Sequence, residues 1–343
     1  MCALCWGAEM AVDLRLHNTL GLPCQADELQ IVTTLAELQA GLPRWNDPSL
    51  LVLSGGSNVV LPEIWPGRVL QPALRGRQVR EEKDAILIQV GAGESWPDLV
   101  RWTLAQGWSG LENLSDIPGW VGAAPLQNIG AYGVELADVL QEVQSVDRRD
   151  GRLRRWQRGD CALSYRDSVF KSAARDTQVI AFVTLRLPRH APLRLDYGDV
   201  RAELERMAVS TPDARAVATA ISRLRARKLP DPAVLGNAGS FFKNPIVTTA
   251  QAENLARQEP GLIRHACDGG EKLAAAWLIE RCGLRGQGNG KVACHRDQAL
   301  VLVNLGAATA HDVLAWAGHV QDCVRQRFAI DLEIEPRVYA SSC

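Results

Sequence analysis

The chain has 343 residues, and at about 100–200 residues per domain this length predicts two or three domains. Its net charge is only −1, so we expect no nucleic-acid partner and no binding to an anionic membrane. No apolar run approaches the roughly 20 residues of a membrane span, and the first ten residues lack the basic start and long apolar stretch of a secretory signal. These features predict a cytoplasmic protein.

Residues 1–12 are interpreted as a disordered extension, because recognisable patterning begins only near Leu16. Translation beginning at Met10 instead of Met1 is a hypothesis that the intact mass would decide. Cys2 and Cys5 form a C-x-x-C, which is either a redox or metal pair or simply part of the extension. The extension is favoured because no second cysteine pair has zinc-ligand spacing. The nine scattered cysteines indicate reduced thiols.

Apolar periodicity predicts alternating strands and helices along the chain. In the first region we expect strands at 29–33, 50–53 and 59–61 and a helix at 35–42. In the second we expect strands at 85–90, 140–146 and 179–187 and helices at 96–106 and 214–228. In the third we expect helices at 272–282 and 311–328 and strands at 300–304 and 330–339.

A glycine-rich turn follows the predicted strand at 50–53. Its two glycines allow consecutive backbone N–H groups to converge, and such concavities bind phosphate. A simple hairpin turn is the alternative. The Rossmann and Walker A patterns are missing, and the glycines of 286–290 indicate a flexible turn because no helix pattern follows them. The residues of the candidate phosphate loop are Ser54, Gly55, Gly56, Ser57 and Asn58.

A long segment at 110–133 is rich in Gly, Pro, Asn and Gln and has little regular periodicity. Small residues would let a flat ring approach the backbone. Gln127 and Asn128 offer both donors and acceptors, which suit the edge of a flavin ring. The alternative is a compact connection held together by its own amides.

Recognisable motifs lie at 18–21, 54–58, 110–112, 117–133, 165–168, 236–245 and 332–337. Their order resembles that of the UDP-N-acetylenolpyruvoylglucosamine reductases, and the resemblance spans about residues 16–339. It implies an α+β protein in which a two-part FAD-binding fold of the vanillyl-alcohol-oxidase (PCMH) type carries a smaller α+β substrate-binding domain. The expected parts are FAD-binding subdomain 1 at 13–75 joined by a C-terminal strand at 329–343, subdomain 2 at 76–229, and the substrate-binding domain at 230–328.

The resemblance also implies a reaction. NADPH would reduce non-covalently bound FAD, which would reduce UDP-N-acetylglucosamine enolpyruvate to UDP-N-acetylmuramate in peptidoglycan precursor synthesis. The two substrates would alternate at one site of a monomer. Besides residues 54–58, the implied cofactor contacts are Ile117, Pro118, Gly119, Gly122, Ala123, Gln127, Asn128, Gly130, Ala131, Tyr132 and Gly133.

Three residues match the family's catalytic positions. Hydride addition to an enolpyruvyl ether leaves negative charge near its carboxylate, which the planar fork of Arg166 could hold. Glu335 would assist if it is protonated in a desolvated site. Ser240 matches the proton donor, a role that needs support from a nearby charge such as Lys243. Ser54 and Pro336 depart from the usual family residues.

Five further residues match family substrate contacts, and we expect Arg337 to bind either the substrate carboxylate or Glu335. Tyr197 lies in a loop that would close over the nucleotide. No histidine spacing indicates a metal ligand set, so no catalytic metal is expected. The five residues are Tyr197, Lys228, Asn244, Gln298 and Arg337.

Two other functions compete with the reductase. One is a different flavin oxidase or dehydrogenase on the same scaffold, and the other is a nucleotide-binding protein without catalysis. An alcohol oxidase needs no acid pair for an enolate, and a binder is expected to lack one of the catalytic residues. Arg166, Ser240 and Glu335 are all present, which favours the reductase.

Overall fold

The computed structural model describes residues 11–45 and 47–340. The possible start at Met10, the Cys2–Cys5 pair and most of the predicted extension lie outside the described residues. The extension prediction is wrong at Val12, because this residue already pairs with Ala26 in a strand.

The first region builds a four-stranded sheet with one helix. At the start of α1, a capping box between Thr34 and Glu37 provides acceptors for backbone N–H groups that have no partner within the helix. Strands β2 and β3 both run parallel to β5, and the sheet order is β1-β2-β5-β3. The elements are β1 Val12–Asp13, β2 Gln25–Val32, α1 Leu35–Gly41, β3 Leu51–Val52, β4 Val59–Val60 and β5 Ile64–Pro72.

The second region is an antiparallel sheet of five strands in the order β11-β10-β12-β7-β6. Helix α2 packs on this sheet, since Trp96 and Leu99 belong to the same buried cluster as Ile86 and Ile88. The elements are β6 Arg77–Glu81, β7 Ala85–Gly91, α2 Trp96–Ala105, β8 Gly130–Ala131, β9 Val134–Glu135, β10 Leu140–Asp147, β11 Leu153–Gln157, β12 Gln178–Pro188, α3 Val200–Arg206 and α4 Ala214–Lys228.

The third region has two small antiparallel sheets, β13-β18-β17 and β14-β16-β15, around a shared apolar core. Helix α7 covers this core with one apolar face that includes Val313, Val320 and Val324. The elements are β13 Asn237–Ser240, β14 Ile246–Val247, α5 Thr249–Gln258, β15 Arg264–Cys267, β16 Gly270–Leu273, α6 Ala275–Arg281, β17 Val292–Cys294, β18 Val301–Asn304 and α7 Ala310–Phe328.

The end of the chain returns to the first region. Strand β19 (Arg337–Val338) lies parallel to β4, and the Arg337 N–H donates to the Asn58 carbonyl at 3.0 Å. Just before it, Ile334 forms a bridge with Phe242 of the third region. This final segment therefore connects the glycine-rich turn to the third region.

Most predicted elements exist, but two predictions are wrong in extent. The helix expected at 272–282 starts only at Ala275, because Leu273 pairs with Arg264 across a hairpin. The strand expected at 330–339 shrinks to Arg337–Val338, because the residues before it make only a single bridge, between Ile334 and Phe242. Strands β5, β6 and β11 and helices α3 and α5 are among the elements that were not predicted. In residues 11–45 and 47–340, every helix is too short or too polar for a membrane span.

Candidate active site

A cavity of about 470 Å³ lies where the three regions meet. Its walls come from the glycine-rich turn after β3, the long loop at 110–133, the Arg166 segment, β13 and the final segment of the chain. This volume is typical of a small-molecule or cofactor site, for which about 300–1,000 Å³ is usual.

The glycine-rich turn forms one wall through Ser54, Gly56, Ser57 and Asn58. Gly56 has a φ of 61°, and a Cβ atom there would lie 1.9 Å from the His17 carbonyl oxygen, so only glycine fits. Ser54 Oγ and Asn58 Oδ1 are buried and have no hydrogen-bond partner among the described residues. Buried polar atoms need partners, so this wall fits a polar ligand such as the cofactor phosphates.

The long loop forms the adjacent wall with closely packed small residues. A Cβ atom on Gly122 would lie 2.6 Å from that of Ala92, and one on Gly119 would lie 2.5 Å from Ser57 Oγ. The loop therefore approaches β7 and the turn more closely than larger residues would allow. Its predicted contacts that line the cavity are Ile117, Pro118, Gly122, Ala123, Gln127 and Gly130.

Six other predicted cofactor residues lie behind or beside this surface. The Asn128 amide donates to Glu135 Oε2 at 2.7 Å and to the Ser164 carbonyl at 3.1 Å, and it accepts from the Ala137 N–H at 2.9 Å. Asn128 thus holds the loop together, as the compact-connection alternative expects. The six predicted cofactor residues that do not line the cavity are Gly55, Gly119, Asn128, Ala131, Tyr132 and Gly133.

Arg166 and Glu335 meet at the cavity wall. Arg166 Nε lies 3.2 Å from Glu335 Oε1, and Arg166 Nη2 donates to the Gly130 carbonyl at 2.9 Å. The Nε–H does not point along a hydrogen-bond direction, so this buried donor remains without an aligned acceptor. Arg166 also has a φ of 54°, a left-handed conformation that is costly for a residue with a Cβ. The backbone here is held in a strained form that directs the guanidinium to the cavity.

Glu335 is only 10% exposed, whereas Glu333, two residues earlier, is 70% exposed. Burial raises the pKa of Glu335, and the opposing effect of the Arg166 charge is smaller. A raised pKa keeps the acid protonated up to a higher pH than usual, which is the direction that the predicted role of Glu335 requires. The Glu335 N–H donates to the Phe241 carbonyl at 2.9 Å, so Pro336 does not disturb the backbone pairing at this residue.

Ser240 ends strand β13 and lines the same cavity as Arg166 and Glu335. The pairing of 241–243 with 333–335 brings these segments together, since the Lys243 N–H donates to the Glu333 carbonyl at 2.9 Å. The Lys243 ammonium forms an ion pair with the Glu333 carboxylate at 2.5 Å. Lys243 is therefore committed to another partner, and the support that was expected for Ser240 is not seen.

The predicted substrate residues are dispersed. Lys228 is paired with Asp199 at 3.0 Å, and the Asn244 side chain accepts from the Ala275 N–H at 2.9 Å. Gln298 accepts a backbone bond from Val301 in the loop before β18.

Arg337 lines the cavity, but its ion pair at 2.6 Å joins it to Asp176. The expected contact between Arg337 and Glu335 is not seen. Tyr197 is 41% exposed beside Gly133 and does not belong to the cavity lining in the described chain.

Sequence reasoning missed three cations that line the cavity, Lys171, Arg175 and Arg225, and backbone carbonyls hold two of them. Lys171 donates from Nζ to the Arg166 carbonyl at 2.9 Å, and burial lowers its pKa. Arg225 of α4 also lines the cavity, donates to the Asp116 carbonyl at 3.1 Å, and has a pKa lowered by burial. Both residues lie in stretches with ordinary basic composition, so no local signal distinguishes them.

Two protein-family models match different parts of the chain. Residues 29–157 match an FAD-binding domain, and residues 231–339 match the C-terminal domain of UDP-N-acetylenolpyruvoylglucosamine reductase. The reductase of Pseudomonas aeruginosa is 48% identical over 336 residues, which cover 95% of this chain and 97% of that protein. The chain belongs to the UDP-N-acetylenolpyruvoylglucosamine reductase family. A reductase from an Azoarcus species is 49% identical over 333 residues, covering 94% of this chain and 95% of the other.

Solved structures agree with this membership. The crystal structure of the reductase from Thermus caldophilus is 26% identical, covers 96% of this chain and 98% of that chain, and superposes with a TM-score of 0.66. A vanillyl-alcohol-oxidase-type flavoprotein from Myceliophthora thermophila is 14% identical, with a TM-score of 0.51 over 93% of this chain and 73% of that chain. The second likeness concerns the fold alone. The predicted α+β class, with an FAD-binding fold of the vanillyl-alcohol-oxidase type, is confirmed.

Proposed function

We propose that the chain reduces UDP-N-acetylglucosamine enolpyruvate to UDP-N-acetylmuramate with NADPH and FAD, a step in peptidoglycan precursor synthesis. Family membership supports this reaction. The observation that carries it is that Arg166, Glu335 and Ser240 line one cavity, which also has a wall that suits a cofactor. An alcohol oxidase would not need a buried acid beside an arginine at this position.

The FAD phosphates would bind at Ser54, Gly56, Ser57 and Asn58, and the loop at 117–130 would lie along the flavin. The unpaired Ser54 Oγ and Asn58 Oδ1 support this assignment. Bound FAD supplies the hydride transfer that carries reducing equivalents from NADPH to the enolpyruvyl double bond.

Arg166 and Glu335 would stabilise the charge that develops on the substrate carboxylate. Arg166 lines the cavity, so its guanidinium would donate to such an oxygen, and a charge-assisted hydrogen bond is stronger than a neutral one. A protonated Glu335 can donate a further hydrogen bond without adding negative charge. Together these groups would provide preorganised hydrogen-bond donors for the negative charge that develops in the reaction.

Ser240 would pass a proton to the α carbon of the substrate, because it lies on the cavity wall beside Glu335. A free hydroxyl is a weak acid, so a neighbouring cation must support it. Because Lys243 is already paired to Glu333, we assign this support to Lys171 and Arg166, which line the same cavity as Ser240.

The remaining substrate contacts are proposed for the rim of the cavity, with Tyr197, Lys228, Asn244 and Gln298 meeting the nucleotide and Arg337 remaining at the cavity wall. Lys228 would have to exchange its Asp199 partner for a phosphate. We also propose that the protein is a cytoplasmic monomer. The cavity is built from a single chain, and both of the proposed substrates are soluble nucleotides.

Product analysis tests the function. Purified FAD-containing protein, NADPH and UDP-N-acetylglucosamine enolpyruvate are incubated, and the sugar nucleotide is examined by mass spectrometry. The expected product contains two more hydrogen atoms than the substrate and has a lactyl ether. NADPH oxidation without this product would contradict the proposal and would favour a different flavin enzyme.

A further inference from the structure

The side chain of Lys171 reaches back to the turn that carries Arg166, and its Nζ donates to the Arg166 carbonyl at 2.9 Å. We propose that Lys171 is a positioning residue, whose ammonium holds the left-handed backbone of Arg166 and so directs the guanidinium at the substrate carboxylate. The inference rests on the proposed function and deepens it, because Lys171 acts through Arg166.

Residues 164–167 form a tight turn with Arg166 in its third position. The Ser164 N–H donates to the Asp167 carbonyl and the Asp167 N–H donates to the Ser164 carbonyl, both at 3.2 Å. Arg166 has a positive φ of 54°, whereas Tyr165 does not have a positive φ. These signs of φ are those of a type II turn, which favours glycine in the third position. An arginine keeps this conformation only where its surroundings hold it.

The Lys171 ammonium supplies such a hold on the main chain. A hydrogen bond from a charged donor is stronger than one between neutral groups. Because φ and ψ are the two soft dihedrals of a residue, a return of Arg166 to negative φ would turn the adjoining peptide groups. Its carbonyl would then leave the ammonium, so the contact with Lys171 favours the left-handed form.

Lys171 can hold Arg166 because its own backbone is fixed. It ends a short 3-10 turn, Val169–Lys171, and its N–H donates to the Ser168 carbonyl at 3.0 Å. The Ser168 hydroxyl accepts from the Phe170 N–H at 3.2 Å and donates to the Leu126 carbonyl at 2.6 Å. The turn that carries Lys171 is thereby attached to the long loop of the cofactor wall.

The guanidinium of Arg166 is held separately from its main chain. Its Nη2 donates to the Gly130 carbonyl at 2.9 Å, and its Nε lies 3.2 Å from Glu335 Oε1. Lys171 therefore fixes the backbone end of Arg166 and Gly130 fixes the other end. Loss of the ammonium would release the first of these two points and let the guanidinium move away from the cavity.

The charge of Lys171 also acts on Glu335. The groups that face Glu335 are Arg166 and Tyr165 of the turn, Lys171, and Lys243 of the neighbouring segment. Burial raises the pKa of Glu335, and the positive charges of Arg166, Lys171 and Lys243 oppose this rise. Without the Lys171 ammonium the pKa of Glu335 would be higher still, so the acid would persist to a higher pH.

The titration of Lys171 itself does not enter the test. Burial lowers its pKa, as does the charge of Lys243, while Asp167, Glu333 and Glu335 oppose this effect. Lys171→Met removes the ammonium at every pH and keeps a long side chain. Lys171→Arg keeps a charged donor and is the conservative variant.

Stopped-flow measurements on the FAD-containing enzyme test the inference. We expect Lys171→Met to be reduced by NADPH at nearly the normal rate and to be reoxidised by UDP-N-acetylglucosamine enolpyruvate about 10–100-fold more slowly, as misplacement of a catalytic group predicts. Lys171→Arg should recover part of this loss. Lys83→Met, in the exposed turn between β6 and β7, is the matched control and should react like the unmodified enzyme.

The pH profile separates positioning from a general loss of structure. In Lys171→Met, the decrease in the reoxidation rate at high pH should move to a higher pH, and in Lys171→Arg it should return toward its normal position. Equal slowing of both half-reactions with no shift of this limb would show a merely structural role and would overturn the inference.

A double-mutant cycle tests whether Lys171 acts through Arg166. At a pH below the descending limb of every variant, Lys171→Met should slow reoxidation by no more than about twofold in an Arg166→Ala enzyme, since no guanidinium remains to be directed. The same fold loss with and without Arg166 would mean that Lys171 acts independently and would overturn the inference.

Crystal structures of the Lys171→Met and Lys171→Arg enzymes decide the inference without any reaction. We expect the methionine variant to lose the contact between the Arg166 guanidinium and the Gly130 carbonyl, and the arginine variant to keep it. An unchanged Arg166 in the methionine variant would overturn the inference. Flavin content is measured for every variant, and Lys171→Gln replaces the methionine variant if that protein loses flavin.

The unmodified enzyme distinguishes the two proposals. If it fails to reduce UDP-N-acetylglucosamine enolpyruvate, the proposed function is wrong, and the crystal structures still decide whether Lys171 holds Arg166. If it turns over normally and Lys171→Met does so as well, the inference alone is wrong.

Discussion

Glu335 combines burial with an adjacent guanidinium, and burial has the larger effect on its pKa. Because this pKa is raised, the acid is present below it and is lost as the pH rises through it. We therefore expect reoxidation of reduced flavin by the substrate to slow as the pH rises through this pKa. Glu335→Gln, which cannot ionise, should react slowly at every pH and should lack this descending limb. Stopped-flow measurements across pH check this, and an identical limb in the glutamine variant would contradict it.

The planar guanidinium of Arg166 carries several N–H donors in a fixed geometry, which a lysine ammonium cannot reproduce. The guanidinium reaches the Gly130 carbonyl and Glu335 at the same time. Arg166→Lys should slow flavin reoxidation by the substrate by about 10²–10³-fold, the usual effect of losing one donor to a developing charge. Arg158→Lys, on an exposed turn, is the control. Equal rates in these two variants would exclude the role proposed for Arg166.

Gly56 has a conformation and a neighbourhood that exclude a side chain. Gly56→Ala should distort the turn and reduce the amount of FAD that copurifies with the protein. Gly318→Ala, on helix α7 with no atom within 4 Å of the added carbon, should retain the normal amount. The ratio of flavin absorbance to protein concentration measures the effect, and a full flavin complement in Gly56→Ala would refute the assignment of this loop.

Individual residue contacts were predictable only where a motif carried them. The motifs at 165–168 and 332–337 identified Arg166 and Glu335, which do meet. The ion pair of Arg337 with Asp176 joins residues 161 positions apart and was not predictable. The same holds for Lys171, since only the folded chain shows that it contacts the Arg166 backbone.

At the scale of elements, strand β18 shows how burial sets the cost of a substitution. Leu302 is fully buried within the strand, while Leu305, just after its end, is 51% exposed. Leu302→Ala should lower the free energy of unfolding by about 2–5 kcal/mol through lost burial and a new cavity. Leu305→Ala should change it by no more than about 0.5 kcal/mol. Denaturant unfolding with saturating FAD measures both, and equal values would contradict the described packing.

Local periodicity predicted helices better than short strands. The predicted bounds of helix α4, 214–228, are those of the structure, because its apolar stripe and basic end are local features of the sequence. The start of the helix predicted at 272–282 was misplaced because Lys272 and Leu273 belong to a hairpin, whose pairing with 264–265 the helical pattern does not show. Single-sequence patterns also gave no indication that the segment before β19 would bridge to Phe242.

At the scale of the whole molecule, the cavity has walls from all three regions, so a ligand in it connects them. FAD that binds only the folded state should stabilise it by about 2.7 kcal/mol at a free concentration of 100 times its Kd. We expect removal of FAD to lower the melting temperature and its return to restore it. The same melting temperature with and without FAD would contradict preferential binding of FAD to the folded chain.

The central claim is that one flavin reacts with both substrates, NADPH and UDP-N-acetylglucosamine enolpyruvate. Arg166, Glu335 and Ser240 act only on the second of these. Anaerobic stopped-flow kinetics of the unmodified enzyme and of Ser240→Ala test it most directly, by following flavin reduction with NADPH and then reoxidation with UDP-N-acetylglucosamine enolpyruvate. We predict that Ser240→Ala reduces at nearly the normal rate and reoxidises far more slowly. Equal loss of both half-reactions, or reoxidation at the normal rate, would contradict the claim.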